Sequence, residues 1–108
     1  MITLYLRGRL ATSREAVEEF FARARTTYEA PGGITGRLQW SLDDPACFVE
    51  VFDYGDRAVY EADQVRVAND PAMRALLAEW HTHLDGPPVV ESYQDAPARE
   101  TIPELVDP

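Results

Sequence analysis

Residues 2–10, ITLYLRGRL, alternate with a period of two, and directly after them the period changes to that of a helix. Ile2, Leu4, Leu6 and Leu10 fall on one side; Thr3, Tyr5, Arg7 and Arg9 fall on the other. That is a strand with two unlike faces. In the next stretch, TSRE, Thr12 with Glu15 three residues on has the spacing of a capping box, which predicts a helix start. Val17, Phe20, Phe21, Ala24 and Tyr28 then form one stripe at about 100° per residue, and APGG ends the helix near Tyr28. A chain that makes this switch must bury a helix stripe against one face of a sheet, which is a layered α+β arrangement.

The pattern repeats. Residues 34–42, ITGRLQWSL, alternate again; DDPA is a turn; CFVEVFDY reads as the next strand, so the two form a hairpin. GDRAVYEADQVRV predicts a helix from Asp56. Asp70 caps a second helical segment with Pro71 at its first position, running to about Leu84 before DGPP. PVVESYQ, residues 88–94, is a last strand. The order is ferredoxin-like, βαββαβ, with a four-stranded antiparallel sheet over residues 1–95 and an extended, Pro-rich tail over 96–108.

The chain's 108 residues suit one core. The single Cys47 rules out an intrachain disulfide framework, and no apolar run reaches the roughly 20 residues of a membrane span. The amino end lacks a basic start, apolar stretch and cleavage site, so a cytoplasmic location is expected. The net charge of −9 argues against nucleic acid and anionic membranes as partners, since both would repel it. All ten basic residues are arginine and scattered, a usage that a GC-rich genome produces.

Only one face of such a sheet is covered by its own helices. The alternation assigns Ile2, Leu4, Leu6, Ile34, Leu38, Trp40, Leu42, Cys47, Val49 and Val51 to the covered face. Thr3, Tyr5, Arg7, Arg37, Phe48, Glu50, Phe52 and Tyr93 then fall on the open one. Four aromatics on an open face mark an interface, and a second copy related by a twofold axis would cover them, giving a homodimer through the sheet face. The alternative is a solvated face sprinkled with aromatics. Glu50, so placed, pairs across strands with Arg7 or Arg37, and a catalytic carboxylate is the alternative.

Candidate site residues are few. In LLAEWHTHLDGPP, Met73, Leu76, Leu77, Trp80 and Leu84 make the apolar stripe, and His81 and His83 flank it on opposite sides. Two residues apart, they diverge too far to chelate one metal from a regular helix, so no metal site is assigned. Helix-edge positions with a favourable C-terminal charge explain both, and a proton-transfer or ligand-orienting role is the alternative. Cys47 opens a strand with no adjacent base, as a small buried hydrophobe does; a nucleophile is the alternative. No Gly-rich phosphate loop and no G-x-S-x-G elbow is present. Trp40, Tyr28, Tyr60 and Trp80 are core aromatics or pocket lining.

Across FVEVFDYGDRAVYEAD, the chain resembles the antibiotic biosynthesis monooxygenase-like family of the dimeric α/β-barrel superfamily. The likeness is a third-strand glutamate, Glu50, then Phe52 and Tyr54, then DRAVYEA entering a helix. The resemblance implies a homodimeric barrel with a small cavity between sheet and helices. Some members oxidise phenols or quinols with dioxygen and no cofactor; relatives bind and degrade haem. The sequence departs where members carry a histidine after that alanine: Asp63 stands there, followed by Arg66 and Ala68. The expectation is a cofactor-independent monooxygenase-like enzyme acting on a small aromatic or quinol substrate. His81, His83 and Tyr60 would be its catalytic residues, and Trp40, Trp80 and Tyr28 its substrate-binding ones. A non-catalytic dimer binding a small apolar or aromatic ligand is the alternative, as is a haem-binding relative, which needs His81 or His83 aimed into the pocket.

Overall fold

The computed structural model describes residues 1–97. Most of the Pro-rich tail therefore lies outside the described residues. Along the chain come β1 (Ile2–Arg9), α1 (Arg14–Glu29), β2 (Ile34–Trp40), β3 (Cys47–Tyr54), α2 (Arg57–Asn69), α3 (Pro71–His81) and β4 (Val89–Gln94). The strands form one antiparallel sheet in the order β2-β3-β1-β4, so β3 lies between β1 and β2. This is the ferredoxin-like arrangement, with its second helical element split in two.

The split is written in the chain. Asp56 caps α2 by accepting from Val59 N. Asp70 closes α2 and caps α3, accepting from Ala72 N and Met73 N, and Pro71 opens α3 where its missing N–H costs nothing. At α1 the cap is Ser13, which accepts from Ala16 N; Thr12, the predicted cap, instead shares a hydrogen bond with His83. Two element ends also differ from the sequence expectation. Leu42 lies beyond β2 and is fully exposed, and α3 stops at His81.

The strand register corrects the assignment of faces on β3. Ile2 pairs with Tyr54, Leu4 with Phe52, Leu6 with Glu50 and Gly8 with Phe48. On the other side Ile34, Gly36, Leu38 and Trp40 meet the same four residues. Paired residues share a face, so Phe48, Glu50 and Phe52 lie under the helices, and Cys47, Val49 and Val51 take the open side. Phe48 and Phe52 are core residues alongside Phe20, Phe21, Tyr28 and Trp80. Two glycines make room for them: a Cβ on Gly36 would stand 2.9 Å from Phe52 Cε1, and one on Gly8 3.3 Å from Phe48 Cζ.

The open face is accordingly less aromatic than expected. It carries Tyr5 and Tyr93, with ring centroids 5.7 Å apart, and two ion pairs, Arg7–Glu91 at 2.6 Å and Arg37–Asp53. Both arginines predicted to hold Glu50 are thus engaged by other carboxylates. Among the described residues, no helix is long and apolar enough to cross a membrane.

Candidate active site

β3 is a central strand, and its middle residue on the covered face is Glu50. The side chain cannot reach water past the helices and is only 3 % exposed. Its cross-strand neighbours on both sides are leucines, Leu6 and Leu38. Its Oε2 atom has no hydrogen-bond partner among the described residues. Burial disfavours the charged form, and it pushes the Glu50 carboxyl up to about 8.

This carboxyl borders a cavity of about 230 Å³ between the sheet and the pair α2–α3. The floor is Leu4, Leu6, Glu50, Phe52 and Tyr54 from the strands, with Val90 and Ser92 from β4. Tyr28 of α1 forms one side, Tyr60, Asp63 and Arg66 of α2 another, and Met73, Leu77 and Trp80 of α3 the cover. The lining is mostly apolar with a few convergent polar groups, the usual make-up of a small-molecule site.

Two polar clusters frame it. Tyr54 donates its hydroxyl to Asp63 Oδ2 at 2.7 Å, and Arg66 Nε donates to Asp63 Oδ1 at 3.0 Å. Arg66 also donates to the last-turn carbonyls of α1, Thr27 O at 2.7 Å and Tyr28 O at 2.8 Å. The network thus ties α2 to the end of α1 and leaves Arg66 satisfied. Burial, then the hydrogen bond to Asp63, raises the Tyr54 hydroxyl well above the usual phenol range. Tyr28 is likewise raised, chiefly by burial and next by the charge of Glu50. On the other side Tyr60 and Ser92 share a hydrogen bond of 3.1 Å. Trp80 Nε1 is buried with no partner among the described residues.

The sequence-predicted site residues divide. Tyr28, Tyr60 and Trp80 come together around the cavity. Trp40 does not join them. It borders a wider hollow of about 510 Å³ at the opposite end of the strands, donates to Glu18 at 3.1 Å and lies under the Arg14 guanidinium. The two histidines also stand apart from the cavity. His81 is exposed beside Trp80, and His83 is half-buried against Phe20, its Nδ1 2.8 Å from Thr12 Oγ1. No imidazole lines the cavity, so neither His81 nor His83 supplies there the axial ligand that the haem-binding alternative calls for.

Sequence reasoning missed Tyr54, Asp63 and Arg66 as cavity groups, and it set Glu50 on the open face rather than in the cavity. One signal was available for Asp63, which stands where the resembled family places a histidine. For Glu50 the signal lay in glycines: Gly8 and Gly36, spaced to oppose Phe48 and Phe52, mark the side on which β3 carries its large residues.

No protein-family model and no curated protein matches this chain. Its fold, however, recurs in solved structures. It is similar to SnoaB, described as a cofactor-independent oxygenase from Streptomyces nogalater, with a TM-score of 0.71 and 16 % identity over 94 % of this chain and 96 % of that one. A Bordetella bronchiseptica protein described as a candidate antibiotic biosynthesis monooxygenase gives 0.66 and 24 % identity over 88 % and 96 %. The Mycobacterium tuberculosis protein Rv0793 gives 0.66 and 22 % identity over 92 % and 96 %. Antibiotic biosynthesis monooxygenase-like proteins are therefore among those whose fold this chain shares.

Proposed function

We propose that the protein is a cofactor-independent, monooxygenase-like enzyme that acts on a small aromatic quinol held between the sheet and α2–α3. The observation that carries this is the Glu50 carboxyl, buried in an apolar cavity with an unpartnered oxygen. A group raised to about 8 is ionised in increasing part as pH approaches that value, and the ionised form is a stronger base than an ordinary carboxylate for taking a proton from an aromatic hydroxyl. Tyr60 and Trp80 orient the ring, Trp80 with an N–H free to donate to a substrate oxygen.

The quinol supplies all the electrons. Once Glu50 holds the hydroxyl proton, the electron-rich ring anion reduces dioxygen. In net terms a quinol and O2 give a hydroxyquinone and water: one ring C–H is replaced by C–OH, the quinol is oxidised to the quinone, and the second oxygen atom leaves as water. The apolar walls exclude bulk water from the reactive anion.

The partner in this proposal is a second copy of the chain, joined through the open sheet face that carries Tyr5, Val49 and Tyr93. Tyr93 is 53 % exposed in the single chain, which supports such a contact. Sedimentation at twice the chain's 12.2 kDa is the expected outcome.

The test of the activity is oxygen uptake with a panel of monocyclic and bicyclic quinols. Uptake that falls by about 100-fold or more in Glu50→Gln is expected, the usual size of a general-base contribution. A full-speed Glu50→Gln variant overturns the proposal, as does wild-type protein that leaves every quinol oxidising at the buffer rate; the latter outcome favours a non-catalytic binding protein.

A further inference from the structure

Three separate features of the cavity favour a positively charged guest. The first is its aromatic lining. Tyr54 meets Tyr60 edge to face at 5.2 Å, Tyr28 meets Phe52 in the same way at 5.3 Å, and Trp80 joins them. Ring faces are the negative ends of aromatic quadrupoles and attract cations, most strongly where water is excluded.

The second is Glu50, 3 % exposed, with Oε2 unpartnered and leucines on both neighbouring strands. To be ionised, a carboxyl so buried needs a cation beside it, and without one it stays protonated. Arg66 is the one cationic side chain among the described residues that line the cavity. It is already taken up by Asp63 and by the carbonyls of Thr27 and Tyr28. The third is the net charge of −9, which draws cations toward the protein and repels anions.

We infer that the cavity is a binding site for a small organic ammonium ion with an aromatic body, its nitrogen on Glu50 and its ring among Tyr28, Tyr60 and Trp80. This goes beyond the oxygenase reading and does not depend on it. Such a ligand occupies the same carboxyl that would take the substrate proton, so it would also inhibit any turnover there.

The pH dependence has a definite sign. The titratable and charged groups that face Glu50 across the cavity are Tyr28 from α1, Tyr54 from β3, and Tyr60, Asp63 and Arg66 from α2; β1, β4 and α3 contribute none to the lining. Burial keeps Glu50 protonated below about 8. An ammonium ion binds the ionised carboxylate, so binding at pH 6.5 must expel about one proton into the buffer. A neutral ligand expels none.

The experiment is calorimetric titration of the whole chain with 2-phenylethylamine and, separately, with 2-phenylethanol, in two buffers of different ionisation enthalpy at pH 6.5. The expected result is that the amine binds about tenfold or more tighter than the alcohol. It also releases about one proton. Glu50→Gln should lower the amine's affinity by about tenfold or more and leave the alcohol's little changed. The inference is overturned if the alcohol binds as tightly as the amine, or if amine binding to the wild-type chain releases no proton. Both readouts use wild-type protein, so they decide the matter even where Glu50→Gln does not fold. Neither requires turnover, so a protein inert toward quinols can still pass.

Discussion

Tyr54 on β3 and Asp63 on α2 are joined by a 2.7 Å hydrogen bond at the wall of the cavity, and Asp63 is only 6 % exposed. The bond fixes α2 against the central strand, while Arg66 bridges from the same carboxylate to the end of α1. Asp63→Ala removes the acceptor from a buried phenol and the partner from a guanidinium. Loss of one member of a buried pair costs about 3 kcal/mol. Urea denaturation should show a drop of that order, with a smaller one for Asp63→Asn, which keeps an acceptor for Tyr54. A change under about 1 kcal/mol in Asp63→Ala would show that the network does not hold the two elements together.

Glu50 makes stability fall as pH rises. Its folded-state carboxyl titrates near 8, far above the ordinary range, so between the unfolded and folded values the native chain holds the proton and the unfolded chain does not. The unfolded state then gains relative stability with pH, by up to about 1.4 kcal/mol per unit. Wild-type protein should lose stability between about pH 5 and 8 relative to Glu50→Gln, and the difference should level off above pH 8. Parallel pH–stability curves for the two proteins would contradict this.

Gly36 lies across from Phe52, and any Cβ there would also come within 3.2 Å of Phe21 Cζ. Both rings are core residues that cannot swing into solvent. Gly36→Ala should therefore destabilise by roughly 1–3 kcal/mol, the range for overpacking. Differential scanning calorimetry reads it as a lowered Tm. An equal or higher Tm would mean the core has slack at this point.

The histidines stand apart from the cavity, so the pair His81→Ala and His83→Ala should retain any oxygen uptake or ligand affinity to within about twofold. His83→Ala alone should cost about 0.5–1 kcal/mol through the lost bond to Thr12. A drop of tenfold or more in uptake, with folding intact, would return an imidazole to the site.

Most of the fold is legible in the chain. Period two in 2–10, the stripe from Val17 to Tyr28, and Asp70–Pro71 at the joint of α2 and α3 each specify their element locally, because polar and apolar residues there separate cleanly by face. The same holds for α3, where Met73 and Trp80 are the buried residues and His81 is turned outward. Strand order follows from the element order and the short connections.

The site is different. In CFVEVFDY both phases of the alternation are apolar, so the pattern does not say which side faces the helices. Assigning Cys47, Val49 and Val51 to the covered face sets every β3 side chain on the wrong side, as any one-residue shift in phase does. Sequence by itself determined the strands, the helices and their order, because those depend on contacts a few residues apart. Only the tertiary structure decided that Leu4 meets Phe52 and Leu6 meets Glu50, and hence that a carboxyl lies buried beneath α2 and α3. That choice rests on fitting Phe48 and Phe52 beside Gly8 and Gly36 under three helices, a packing condition carried by residues far apart in the chain.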